Sequence, residues 1–430
     1  MLTSEDTGLS SGSMTTYLSL FSGAGGFEHP NVVPILVCES DPACARVLRR
    51  RIPSAPLHLD VSTLKDEAPS ADFVVGGWPC QDISSAGSML GLDGKRSGLF
   101  FDMLQTAGRA GAHTLVGENV PNLLTVNKGR DFERLLAALS DAGYAFISWR
   151  MLNARQFGLP QERNRVFIVA SRHRELALAL HAGQPSPQPQ AVHRSPRSAG
   201  FYWTAGGRSI CYGVGYTPAL KIGASDGKGR SVVAVFHNGI ARKVSADACV
   251  RLQGFDPSGF DGEAKTDIVR MAGNAVPVPM GEFVLRHVFA GTGGPVRFLG
   301  TGTQVEFSKF AGAGFYEDRA VWEIENPIST LATNLDDFIT GNDGELLSGQ
   351  AAAGLIVRTI RSGKSLPTEL FDALVVLSHE RTSYRGSRSN SFDALDLIDV
   401  AQYRQNIVLG TSETLNFGPA QEWQQDLFAS

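Results

Sequence analysis

The sequence predicts an α/β protein built on a doubly wound, mostly parallel sheet, with a small β-rich domain and an α+β C-terminal extension. Three observations lead there. From residue 15 to about 171, short apolar runs alternate with helical stretches, the pattern of strands connected through helices. The first apolar run, Leu18-Ser19-Leu20-Phe21, opens directly into Ser22-Gly23-Ala24-Gly25-Gly26, a turn whose backbone can approach a nucleotide-like ligand closely. An acid, Glu39, then ends the second apolar run, where a carboxylate about 20 residues on suits ribose hydroxyls.

Strands are expected at 17–21, 33–39, 73–75, 114–118 and 166–170, with helices at 42–51 and 131–142 between them. The Pro/Gln/Ser-rich stretch at 183–190 breaks the pattern and marks a boundary. Residues 201–240 are rich in Gly and Tyr and read as a small irregular β module, after which helical character returns at 245–253 and 271–289. The expected plan is a polar, disordered tail at 1–13, a main domain at 14–171, the β module at 172–241 and a return to the main domain at 242–290. A Gly-rich linker at 291–295, an accessory domain at 296–418 and a final tail at 419–430 complete it.

Composition narrows the class. No apolar run approaches the roughly 18 residues that span a membrane, and no signal peptide opens the sequence, so a cytoplasmic setting is expected. The five cysteines form no C-x-x-C pair, so neither a disulfide framework nor a metal site is expected. The formal net charge is −4, yet 151–251 holds 14 Lys/Arg against 4 Asp/Glu, while 301–430 holds 9 against 18. The basic middle is an electrostatic footprint for a polyanion; a solvated basic face is the plainer alternative.

Four segments carry chemistry. In Gly76-Gly77-Trp78-Pro79-Cys80-Gln81 a cysteine follows a buried strand and a rigid proline, facing the crevice where open α/β sheets bind ligands. A thiolate there is a strong nucleophile, against the ordinary alternative of a small buried hydrophobe. Gly117-Glu118-Asn119-Val120 ends another strand, and a glutamate there can supply an acid beside that thiol. In Gln161-Glu162-Arg163-Asn164-Arg165 the two arginines alternate, so on an extended segment both project to one face and suit a phosphate or a polarised base. Gly273-Asn274-Ala275-Val276-Pro277-Val278-Pro279 fixes a rigid backbone. Asp60, ending the run Leu57-His58-Leu59, is placed to accept from an exocyclic amine.

Taken together these segments resemble the DNA (cytosine-5) methyltransferase family. Phe21-Ser-Gly-Ala-Gly-Gly26 is similar to its cofactor motif and Pro79-Cys80-Gln81 to its nucleophile motif. Arg96-Ser-Gly-Leu-Phe100 resembles the segment after its mobile loop, and Glu118-Asn119-Val120, Gln161-x-Arg163-x-Arg165 and Gly273-Asn274-x-Val276-Pro277 resemble its later motifs, in the family's order across about 15–290. One departure is Ser19-Leu20-Phe21, where the motif often begins with Asp.

The resemblance implies a class I, Rossmann-like methyltransferase fold with S-adenosylmethionine as donor, S-adenosylhomocysteine as product and no metal. Phe21, Ser22, Gly23, Gly25 and Gly26 would bind the donor, with Glu39, Ser40 and Asp60 on its nucleoside side and Pro79, Asn274 and Ala275 bracing it. Cys80 would attack C6 of a flipped cytosine, Glu118 would act at N3, and Arg165 and Arg163 would steady the ring or a phosphate. Gln81, Ser84, Ser85 and Arg96 lie in or beside the expected closing loop over DNA. Residues 172–241 become the target-recognition domain, where Trp203 and the basic Arg208, Lys221, Lys228 and Arg230 are candidate DNA contacts. The partner is double-stranded DNA, within a restriction–modification system or as a solitary, nucleoid-associated enzyme; methylation of transfer RNA by the same fold and a non-catalytic DNA-binding descendant are the alternatives. A monomer suffices for one flipped base.

The sequence closes on Gln424-Gln-Asp-Leu-Phe428, which resembles the peptide by which bacterial replication proteins dock on the sliding clamp. Gln424 would be the polar anchor, with Leu427 and Phe428 filling an apolar pocket; the plainer alternative is a Leu-Phe pair packed on its own domain.

Overall fold

Tyr17, Leu18, Ser19 and Leu20 are all buried, because the strand they form is flanked on both sides by other strands. The computed structural model describes residues 15–79, 98–183, 198–202, 212–220, 233–237, 239–292, 296–303, 312–326, 335, 338–339, 346–361, 366 and 368–379. In chain order the first elements are β1 (Tyr17–Leu20), β2 (Leu36–Cys38), α1 (Pro42–Arg51), β3 (Leu57–His58), α2 (Val61–Glu67), β4 (Phe73–Gly77), α3 (Leu99–Ala110) and β5 (Thr114–Asn119). Then come α4 (Arg130–Asp141), β6 (Phe146–Asn153), β7 (Gln161–Glu162), β8 (Asn164–Ser171) and α5 (Arg174–Leu178). The later strands are β9 (Ala199–Tyr202), β10 (Tyr212–Val214), β11 (Thr217–Pro218), β12 (Val233–His237) and β13 (Ile240–Lys243), followed by α6 (Ala246–Arg251), α7 (Lys265–Asn274) and α8 (Val278–Ala290). Strands β14 (Phe298–Thr303), β15 (Ala313–Glu317) and β16 (Ala320–Ile324) and helices α9 (Gly349–Arg361) and α10 (Thr368–His379) complete the described elements.

The large sheet runs β14-β16-β15-β6-β8-β5-β4-β1-β2-β3. β3, β2, β1, β4 and β5 are mutually parallel, and β8 lies antiparallel to β5. After β1 the chain moves outward through β2 to β3, then returns to β4 on the other side of β1. That reversal between β1 and β4 is the topological switch point of a doubly wound fold, and ligands bind beyond the carboxyl ends of the strands there. The helix at 42–51 forms as expected, with Asp41 accepting from the Ala43 and Cys44 amides at its N-terminus, Pro42 in its first turn and Arg49, Arg50 and Arg51 in its last.

Two compact units emerge. The first holds 1–151, 166–184 and 280–326; the second holds 152–165, 185–279 and 327–430. Within the second, β10-β9-β12-β13 form an antiparallel sheet whose alternation splits its side chains between two cores. Phe201, Ala234 and Ala241 meet Leu355, Ile356, Leu370, Phe371 and Leu374 of α9 and α10. Tyr202, Val233 and Val235 on the opposite face meet Cys249, Leu252 and Ala272 around α6 and α7.

This arrangement corrects the expected domain plan. Residues beyond the 291–295 segment do not begin a separate domain, because β15 pairs antiparallel with β6 and β16 with β15, extending the large sheet. Without them β6 would be an unpaired edge, and Phe298, Phe315 and Trp322 pack there with Phe146. The later part of the extension joins the β10-β9-β12-β13 sheet instead, since both faces of that sheet are apolar and each needs a cover. Residues 172–183, expected in the recognition domain, belong to the first unit. The expected helix at 271–289 is two, α7 and α8, broken at Ala275-Val276-Pro277, where proline cannot continue a helix. Residues 1–13, expected as a disordered tail, and 419–430, expected as the final tail, lie outside the described residues.

Candidate active site

The first unit gathers motif residues at the ends of neighbouring parallel strands. The glycine-rich turn follows β1, Glu39 follows β2, Trp78 and Pro79 follow β4, and Glu118 lies near the end of β5, opposite Gly77 in the register. Each acid or turn is placed by the strand before it, and parallel pairing puts all these ends on the same side of the sheet.

The turn is held in an unusual conformation. Phe21 has φ 53° and Gly23 φ 56°; for phenylalanine this left-handed geometry costs about 1–2 kcal/mol. The Ser22 amide donates to the Cys38 carbonyl at 3.1 Å and the Gly25 amide to the Ser22 carbonyl at 2.8 Å. Glu39 receives the Gly23 amide at 2.8 Å and the Asp41 amide at 2.7 Å. Burial pushes its carboxyl above the ordinary range, opposed by those backbone bonds. A Cβ placed on Gly23 would meet nothing within 4 Å. The turn therefore presents bare backbone to open space beside a carboxylate, a donor set that fits a nucleoside-bearing ligand. Ser40 and Asp60 are exposed. Asp60 caps α2 by accepting from the Ser62 amide at 2.9 Å, and these bonds to Ser62 hold its carboxyl below the usual range.

At the end of β4, Trp78 is 3% exposed and its ring occupies the space above Gly117, where a Cβ would come within 2.7 Å of ring carbon Cζ3. The Asn119 side-chain amide donates to the Trp78 carbonyl at 3.2 Å, and its oxygen accepts from the Val120 amide at 2.8 Å. Asn119 was legible only as part of the Glu-Asn-Val motif; its tie to the strand that leads to Cys80 needed coordinates. Glu118 is buried, at 8% exposure. Cys80, Gln81, Ser84, Ser85 and Arg96 lie outside the described residues, as do Arg208, Lys221, Lys228, Arg230 and the terminal Gln424, Leu427 and Phe428.

In the second unit the two arginines of the Gln-x-Arg-x-Arg segment differ in burial and in partners. Arg163 is fully buried, and its guanidinium donates to the carbonyls of Leu220 at 3.3 Å, Gly273 at 3.0 Å and Ala275 at 2.7 Å. Those backbone acceptors occupy the donor fork that a phosphate would need. Arg165 is half-buried and donates to the Asn164 carbonyl at 2.7 Å. Gln161 adds a second brace, donating to the Leu252 carbonyl and accepting from the Leu220 amide, both at 2.9 Å. Arg163 thus holds the backbone on either side of Asn274, which is exposed, while Ala275 is buried. Arg155 lies 4.0 Å from the Tyr216 ring centre and pairs with Glu162 at 3.1 Å.

Among the described residues there is no cluster of three or more His, Cys, Asp or Glu side chains that could hold a metal. Nor, among them, is any helix long and apolar enough to cross a membrane. Cys38, Cys44 and Cys249 are buried thiols outside any disulfide.

A doubly wound sheet with a glycine-rich turn at its switch point and acids at neighbouring strand ends is the class of fold that binds nucleotide-like ligands beyond its strand ends. The chain belongs to the C-5 cytosine-specific DNA methylase family, whose model matches residues 15–203 and 194–290. It is 34% identical over 289 residues to the Type II methyltransferase M2.BsuMI of Bacillus subtilis, covering 62% of this chain and 73% of that one. It is 28% identical over 294 residues to the Type II methyltransferase M.NgoBI of Neisseria gonorrhoeae, covering 61% of this chain and 89% of that one. The protein is a DNA cytosine-5 methyltransferase, a family that takes its methyl group from S-adenosylmethionine.

Proposed function

We propose that this enzyme methylates C5 of a cytosine flipped out of a specific duplex sequence, through a covalent bond between Cys80 and C6. The observation that carries the reading is the convergence of the turn, Glu39, Trp78-Pro79 and Glu118 at adjacent strand ends. C5 of cytosine is a weak nucleophile. Addition of the Cys80 thiolate to C6 pushes an electron pair toward N3, where Glu118 supplies a proton, and leaves C5 enamine-like. Bound at the turn, S-adenosylmethionine supplies an electrophilic methyl group. C5 takes that methyl and S-adenosylhomocysteine leaves; loss of the C5 proton to a base then re-forms the C5–C6 double bond and expels the Cys80 sulfur as thiolate, while the N3 proton returns to Glu118.

C6 lies within the base stack, so the target nucleotide leaves the helix at a cost of a few kcal/mol. The basic residues Arg208, Lys221, Lys228 and Arg230 hold and read the duplex. Arg165 steadies the flipped ring, whereas Arg163 acts through the backbone it holds. Such an enzyme serves as the modification half of a restriction–modification system. The terminal Gln424, Leu427 and Phe428 dock on a sliding clamp; equal clamp capture by wild type and a Leu427→Ala/Phe428→Ala variant would remove that part of the reading.

The central test is transfer of labelled methyl from S-adenosylmethionine into duplex DNA and transfer RNA, with mapping of the modified base. Label at cytosine C5 of DNA is expected, and a Cys80→Ala variant should bind DNA without turnover. Label confined to RNA, or turnover retained by Cys80→Ala, would overturn the proposal.

A further inference from the structure

The turn after β1 is strained at Phe21 and open at Gly23. Backbone held in such geometry persists only where its surroundings over-determine it. The inner side of the turn is tied to the β2 strand by the Ser22 and Gly23 amides. Its two ends are tied by one side chain. Glu28, where the chain leaves the turn, accepts from the Ser19 hydroxyl at 2.7 Å and from the Tyr17 hydroxyl at 2.9 Å. Both donors belong to the buried strand that enters the turn, Ser19 being 1% and Tyr17 0% exposed. The contact continues inward, since the Ser19 and Ser22 hydroxyls lie 2.9 Å apart and the Ser22 hydroxyl donates to the Ser19 carbonyl at 2.9 Å. The Tyr17 oxygen in turn accepts from the His29 amide at 3.2 Å.

We infer that Glu28 is a positioning residue of the donor site: its carboxyl clasps the entry and exit of the glycine-rich turn, so that Phe21 and Gly23 hold the shape that meets S-adenosylmethionine. The inference rests on the reading of that turn as the donor site. A carboxylate in this place is costly, for burial drives its pKa up to about 7 against the two hydroxyl bonds and the Arg51 charge that favour ionisation. A group that only filled space would not need a buried carboxyl; a hydrogen-bonding clasp on two hydroxyls does.

The test titrates full-length protein with S-adenosylhomocysteine and follows KM for the donor and kcat on unmethylated duplex DNA. Glu28→Ala should weaken product binding and raise the donor KM about tenfold, with kcat at saturating donor within about twofold of wild type. Glu28→Gln keeps an acceptor for one hydroxyl and should stay within about threefold. Tyr17→Phe, which removes one of the two bonds and disturbs the fold least, should give an intermediate weakening. Equal S-adenosylhomocysteine affinity in all three variants and wild type would overturn the inference, as would a fall in kcat at unchanged KM. If the wild-type protein itself fails to bind S-adenosylhomocysteine, the donor reading of the turn falls, and the two failures are told apart.

Discussion

The side-chain amide of Asn119 holds the backbone carbonyl of Trp78 at 3.2 Å, joining the ends of two adjacent strands at the point where the chain leaves for Cys80. Both residues are buried, at 2% and 3% exposure. Asn119→Leu removes the donor and leaves that carbonyl without it, at a cost of about 1–3 kcal/mol. Denaturant unfolding should show that loss. Because the proposed nucleophile, Cys80, follows Trp78 by two residues, kcat should fall further than stability alone explains; kcat retained at wild-type level would refute the positioning role.

Gly117 and Trp78 make a tighter version of the same junction. A Cβ on Gly117 would lie 2.7 Å from the buried indole, so Gly117→Ala must displace the ring. Overpacking of this kind costs about 1–3 kcal/mol. The expected readout is a lowered unfolding midpoint with donor affinity unchanged, since the turn after β1 is untouched.

Arg163 and Arg165 should separate cleanly. Arg163→Lys replaces a planar fork that reaches three carbonyls with a single ammonium. A loss of about 2–4 kcal/mol in stability is expected, since buried acceptors lose their donors. Arg165→Lys should leave the unfolding midpoint within about 0.5 kcal/mol, the usual range away from buried networks, and lower kcat at least tenfold. The reverse pattern would restore Arg163 to a direct catalytic role.

His181 makes the first unit sensitive to acid. Burial, with the Arg150 charge second, lowers its pKa to about 3, and among the described residues its Nε2 has no hydrogen-bond partner. In the unfolded chain an imidazole titrates near 6.5. Below that pH the unfolded state takes up a proton that the folded state refuses, so stability falls as pH falls through the window from about 6.5 to 3. The slope from this group approaches about 1.4 kcal/mol per pH unit. Urea unfolding at pH 7 and pH 5 should show a smaller drop for His181→Gln than for wild type; parallel drops would exclude His181 as the cause.

Legibility in the sequence followed the kind of signal each segment carries. The parallel half of the sheet was readable because fully buried strands such as Phe73–Gly77 are continuous apolar runs, and the residues at their ends stand out in a motif. β6 was not, because its buried positions include Ser148 and Arg150. Their polarity is satisfied by groups distant in sequence, the carbonyls of Ala177, Leu180 and Gly183 and the side-chain oxygen of Asn326. The two arginines of Gln161–Arg165 looked alike in spacing, and only tertiary contacts at Leu220, Gly273 and Ala275 distinguish them. Glu28 escaped notice because nothing local marks it; its partners Tyr17 and Ser19 lie across the turn.

The four-stranded sheet of the second unit shares one of its faces with α9 and α10, which the chain supplies more than a hundred residues later. On the proposal that this sheet reads the DNA, specificity does not travel as a cassette. A graft of 198–243 alone into a related enzyme would carry Phe201, Ala234 and Ala241 bare to water, inviting aggregation. A swap that also carries 346–379 brings the sheet with its lid, and the exchangeable module of this enzyme is two stretches of sequence, not one.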